Sequence, residues 1–211
     1  MRLAVFGATG GTGRSVIEQA LGVGDKVTAL ARRPEALGGL GERIDVVAGD
    51  VLDPAAVGRA VAGAEVVVSA LGIGMHRHAT TVYSQGTANI VDAMRAEGAR
   101  RLMIVSTASL ELPAPRQVAE WVVARFLLHR ILAKPYADMT LMEERVRSSE
   151  VDWTLVRAAR LTKGAVTGVY RTALGEKLRG GWSISRADVA HYLLTHAADT
   201  TTFRRTVEIA Y

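Results

Sequence analysis

A chain of 211 residues has room for one complete α/β core and little beyond it, so a single domain spanning 1–211 is expected. Hydrophobic residues make up 49% and charged residues 22%, which excludes a disordered chain, and the lack of cysteine excludes disulfides, thiolate metal sites and a cysteine nucleophile. The net charge of +5 is spread out except at Arg32-Arg33, Arg100-Arg101 and Arg204-Arg205, with few aromatics interleaved; this argues against nucleic acid and favours an anionic small molecule.

The elements alternate strand and helix. Met1-Arg2 precedes an apolar run too short for a leader peptide, so Leu3–Phe6 reads as the first strand. Thr12–Leu21 follows as a helix with Val16, Ile17, Ala20 and Leu21 on one face, then Val27–Ala31 and Ile44–Ala48 as strands. Asp53-Pro54 supplies an N-cap and a first-turn proline for a helix to about Ala62. Val66–Ala70 is a near-continuous apolar run of the kind a central parallel strand requires. A helix over Thr80–Glu97 ends at Gly98, and Leu102–Ser106 is the fifth strand.

Beyond it, 113–135 reads as a loop and an apolar helix-like stretch. Trp121–Leu132 is interrupted by Arg125, His129 and Arg130 and is too short to span a bilayer, so a cytoplasmic protein without membrane contact is expected. Met139–Ser149 is a helix and Thr154–Ala158 a strand. The irregular C-terminal region holds a hairpin-like Ala165–Arg171, a helix over Ala187–His196 and a last strand, Thr206–Ala210. This order predicts a doubly wound, mostly parallel sheet of Rossmann-like type with helices on both faces.

The turn leaving the first strand is Gly7-Ala8-Thr9-Gly10-Gly11-Thr12-Gly13, a G-x-x-G-x-x-G spacing. In a doubly wound sheet a dinucleotide pyrophosphate sits at this turn on the following helix N-terminus, and glycine lets the backbone approach it. The second strand ends in Arg32-Arg33, where an acidic residue would favour NAD and an arginine instead offers paired donors to a 2′-phosphate; NADP is the expected cofactor. Asp50 and Val51 leave the third strand on the adenine side, and Leu71 and Gly72 leave the fourth on the nicotinamide side.

The segments RLAVFGATGGTG, VTALARR, VVAGDVLD, VVVSALG, SQGTANIVDAM, IVSTASL and LTKGAVTGVYR, in this order, resemble the atypical short-chain dehydrogenase/reductase superfamily with NAD(P)H-binding, NmrA-like folds, and within it the biliverdin-IXβ reductase/flavin reductase type. The resemblance implies a phosphate loop at Gly7 to Thr12, a 2′-phosphate arginine at Arg32, adenine contacts at Asp50 and Val51, and nicotinamide-side contacts at Leu71, Gly72 and Val105. It also places Ser106 and Thr107 beside the nicotinamide. Histidines of the family's reductases are matched here by Glu143 and Arg160.

The Tyr-x-x-x-Lys pair of ordinary short-chain dehydrogenases is absent: Tyr83, Tyr136 and Tyr170 are followed at that spacing by Thr87, Thr140 and Leu174. The expected activity is therefore NADPH-dependent reduction of a flavin-like or other conjugated acceptor. Ser106 and Thr107 would orient the nicotinamide or acceptor, and Arg160 would attract an anionic acceptor group. The alternative is an NmrA-like redox sensor that binds NADP without turnover; an epimerase would need the missing tyrosine acid/base. Glu143 and Glu144 read as a solvated pair. His76-x-His78 stands alone, so no metal is expected. A monomer or small homo-oligomer is expected.

Overall fold

The strand ends that will frame the site come from one eight-stranded sheet in the order β3-β2-β1-β4-β5-β6-β10-β8. The computed structural model describes residues 1–74, 78–110 and 133–211. Its strands are β1 (Arg2–Phe6), β2 (Lys26–Ala31), β3 (Asp45–Ala48), β4 (Val66–Ser69), β5 (Arg101–Thr107), β6 (Asp152–Ala158), β7 (Arg160–Thr162), β8 (Arg171–Leu174), β9 (Ser183–Ser185) and β10 (Arg205–Ala210). The helices are α1 (Gly11–Gly22), α2 (Pro54–Val61), α3 (Ser84–Glu97), α4 (Ala133–Arg147) and α5 (Arg186–Thr195). Only β8 runs antiparallel in the main sheet, against β10; β7 and β9 form a separate parallel ribbon.

Alternation along the strands divides the core into two layers. Leu3 and Val5 face α1 and α5, joined by Val16, Ile17, Val189 and Leu193. Ala4 and Phe6 face α2, α3 and α4, joined by Val57, Ile90, Met94 and Met142. The β4 residues Val66 to Ser69 are buried throughout, as a strand covered on both faces must be. Asp53 caps α2 through an Ala55 N–H donating to its Oδ1 at 3.0 Å, and Gly98 ends α3 with φ +74°.

The doubly wound sheet and the order of its elements match the sequence expectation. Among the described residues no helix is long and apolar enough to cross a membrane. One segment carried no expectation, and two local expectations differ. Pro34–Arg43 winds into 3₁₀ turns interrupted at Gly38. The helix expected from Thr80 starts at Ser84, where buried Asp138 of α4 accepts from the Tyr83 N–H at 2.9 Å and from the Ser84 hydroxyl, so the cap comes from another helix. No hairpin forms over Ala165–Arg171: the Thr167 and Gly168 N–H groups donate to Asp188 Oδ1 at 2.8 and 2.9 Å instead of to a strand. The Trp121–Leu132 stretch and His76 lie outside the described residues.

Candidate functional site

The chain reverses its winding direction between β1 and β4, and a crevice opens where their carboxyl ends diverge. A cavity of about 500 Å³ occupies it, lined by the turn after β1 and by the ends of β2, β3, β4 and β5. Gly7 has φ +78°, and a Cβ there would lie 2.2 Å from the Ala70 carbonyl oxygen, so only glycine lets the β1 turn and the β4 end meet. Of the sequence-nominated cofactor residues, Gly7, Ala8, Thr9, Gly10, Gly11 and Thr12 all line the cavity, whereas Gly13 does not. A Cβ on Gly13 would sit 2.3 Å from the Gly7 carbonyl oxygen. Its role is to seat α1 against the turn.

The N-terminus of α1 opens onto this cavity without a side-chain cap and with no acidic residue in its first turn. The first-turn N–H groups of a helix have no intrahelical acceptor, and the aligned peptide dipoles add partial positive charge. Thr9, Gly10 and Gly11 are exposed there, so no side chain of the turn fills the space in front of those donors. Such a cradle fits a phosphate-bearing ligand.

Arg32, Arg33, Asp50 and Val51 line the end reached by β2 and β3. Asp50 Oδ1 accepts from the Leu52 N–H at 2.9 Å and shapes the turn after β3, while its Oδ2 lies 3.9 Å from Arg32 Nε. With the Arg32 side chain 70% exposed, that contact is weak and leaves the guanidinium free to face a second anion. Val51 is fixed from behind: buried Asn89 of α3 donates from Nδ2 to its carbonyl oxygen at 2.9 Å.

Leu71, Gly72, Val105, Ser106 and Thr107 line the opposite end, joined by Val82, Tyr83, Tyr136, Met139 and Leu161. A Cβ on Gly72 would meet no atom of the described residues within 4 Å, so their packing does not require glycine there. Burial pushes the Tyr83 and Tyr136 phenols above their ordinary pKa, which keeps both protonated at neutral pH and able to donate a hydrogen bond.

Ser106 is on the wall, but its hydroxyl donates at 2.7 Å to Oε1 of Glu143 on α4. Glu143 is not a solvated carboxylate: it is 2% exposed and bridged by Arg157 Nη2 at 2.7 Å and Arg147 Nη2 at 2.6 Å, while Glu144 is exposed. Burial alone would raise the Glu143 pKa; the hydrogen bonds from Arg157, Ser106 and Arg147 outweigh it and hold the carboxyl below its ordinary value. Thr107 points to the other face of β5, where its Oγ1 accepts from the Ser109 N–H at 3.3 Å.

Arg160 does not reach the site. It is exposed at the start of β7 and absent from the cavity wall, whereas its neighbour Leu161 is on it; adjacent strand residues point to opposite sides. The cation the structure brings in is Arg186, the first residue of α5, whose stem crosses Gly11 so closely that a Cβ there would lie 2.5 Å from Arg186 Cδ. Arg186, Tyr83, Tyr136 and Met139 escaped the sequence reading because tertiary packing brings them to the cavity from distant segments. The Ser185 N-cap of α5, with Asp188 three residues on, marks a helix start and not a ligand contact.

A sequence model of a family described as NAD(P)H-binding matches residues 7–200. An uncharacterized protein of Mycobacterium tuberculosis is 33% identical over 180 residues, covering 75% of this chain and 20% of the relative, so the chain spans about a fifth of the length of that protein. A short-chain dehydrogenase/reductase from Veillonella parvula, solved in complex with NADP, superposes with a TM-score of 0.79 at 22% identity over 100% of this chain and 94% of that one. An anaerobilin reductase from Escherichia coli O157:H7 gives 0.80 at 23% identity, over 100% and 97%. At these identities the likeness is one of fold.

Proposed function

Since the chain belongs to the NAD(P)H-binding family, we propose that it is an NADPH-dependent reductase of a planar conjugated acceptor. The observation that carries the cofactor choice is the pair Arg32 and Arg33 on the wall of the crevice that the glycine turn opens, at the end of β2. An acidic residue at that strand end accepts from ribose hydroxyls; a guanidinium favours a 2′-phosphate. The uncapped α1 N-terminus fits the pyrophosphate, and the wall from Leu71 to Val105 takes the nicotinamide half. When bound, the cofactor supplies the hydride.

The protein's own part is to bind and orient. Leu71, Val82, Met139 and Leu161 give the acceptor end an apolar surface suited to a flat ring system, and Tyr83 and Tyr136 add protonated phenols that can donate to a carbonyl on that ring. The fold shared with an anaerobilin reductase supports a tetrapyrrole or flavin among the acceptors to be offered. One observation favours the second reading, a sensor that binds without turnover: the Ser106 hydroxyl is already engaged by Glu143.

Titration calorimetry with NADPH and NADH tests the cofactor. Arg32→Ala should weaken NADPH by about 10- to 100-fold and leave NADH nearly unchanged; equal affinity of the unaltered protein for both would overturn the choice. Loss of NADPH absorbance with FMN, riboflavin, a quinone and a linear tetrapyrrole offered in turn tests turnover. Tight NADPH binding with no oxidation on any of them establishes the sensor instead.

A further inference from the structure

Arg186 occupies a position that electrostatics disfavours. It is the first residue of α5, so its charge sits at the positive end of its own helix dipole, and its stem lies across Gly11 at the positive, uncapped end of α1. Asp188, in the same first turn of α5, is fully buried, and its oxygens accept from Thr167, Gly168, Ser185 and Tyr211. Among the described residues no carboxylate pairs with Arg186; its Nη1 donates to the Thr162 carbonyl oxygen at 3.1 Å. One contact to a neutral oxygen leaves most of the guanidinium's five N–H donors unused.

Two helix starts and a partly buried cation therefore meet at one cavity, and no carboxylate among the described residues pairs with that cation. Like charges brought together in this way repel, and an anion bound between them would relieve the repulsion. We infer that Arg186 is the pyrophosphate clamp of the dinucleotide site: with its stem across Gly11, its guanidinium would hold the pyrophosphate together with the α1 N–H groups. The assignment rests on the dinucleotide reading above. It makes the cofactor site bipartite in sequence, with the glycine turn at one end of the chain and its cation 175 positions later by residue number (186 − 11).

Arg186→Gln keeps a stem over Gly11 and removes the charge; Arg186→Lys restores a charge without the fork. Calorimetry on both, with NADPH and with adenosine 2′-monophosphate, which has no pyrophosphate, separates a clamp from a structural role. Arg186→Gln is expected to weaken NADPH by about 10- to 100-fold while adenosine 2′-monophosphate stays within about twofold, and Arg186→Lys to recover part of the loss. Unchanged NADPH affinity in Arg186→Gln, or an equal loss on both ligands, overturns the assignment. An unaltered protein that binds no dinucleotide overturns the reading beneath it.

Discussion

Glu143 shows how one side chain ties two strand ends, β5 and β6, to the helix α4 that covers them. Its carboxylate receives Ser106 Oγ, Arg157 and Arg147 in a buried setting, so each partner is held by a group that cannot be lost without stranding the others. Glu143→Ala leaves the buried Arg157 side chain, 9% exposed, without this carboxylate, and should cost about 3–5 kcal/mol of stability in urea unfolding. Arg147→Ala, at a side chain 41% exposed, should cost about 1 kcal/mol or less. A Glu143→Ala loss no larger than that of Arg147→Ala would show that the network carries no such weight. At this scale the placement of Gly7 and Arg32 on the cavity was legible because it depends on local features: a turn geometry and a charge at a strand end. Glu143 and Arg186 were not, because a carboxylate beside another carboxylate, or an arginine after a serine, has no meaning until packing supplies its neighbours.

Among the helices, α1 and α2 make a useful contrast. Both leave a strand of the same sheet, yet α2 has a capping aspartate and a first-turn proline, while α1 begins on bare glycine. The cap serves stability at α2, whereas at α1 the first-turn donors are left facing the cavity. Asp53→Ala should therefore lower stability by about 1 kcal/mol in chemical denaturation, with NADPH affinity unchanged. A change in affinity would show that Asp53 acts on the site as well. Strands and helices with continuous or periodic apolar faces were readable in order and near their true bounds. The hairpin over Ala165–Arg171 was misread because pattern alone cannot see that the Thr167 and Gly168 amides are claimed by a carboxylate on α5.

For the whole molecule, Asp188 fastens three separated parts: the 167–168 segment, the start of α5 and the C-terminal Tyr211, whose hydroxyl donates to Oδ2 at 2.6 Å. Burial opposes its ionisation, but the hydrogen bonds from Tyr211, Gly168 and Thr167 prevail and lower the carboxyl from 3.8 to about 2. A carboxyl depressed in the folded state contributes stability that is fully present above its unfolded pKa and is lost as pH falls through the folded one. Urea midpoints should thus decline as pH drops from about 4 toward about 2. Asp188→Asn should be less stable at neutral pH and show a flatter acid limb. The limb should not vanish, because Glu143 is depressed in the same direction. Parallel acid limbs in the two proteins would remove Asp188 as a source.

The ribbon of β7 and β9 stands apart from the eight-stranded sheet, yet it supplies Leu161 to the acceptor end and the Thr162 carbonyl that steadies Arg186. The phosphate cradle, by contrast, is cut from strand ends in the sheet's centre. A substitution in β7 that moves Thr162 would therefore shift Leu161 on the cavity wall and the hold on Arg186 together. The small ribbon thus couples the two ends of the crevice, although it shares no strand pairing with the main sheet.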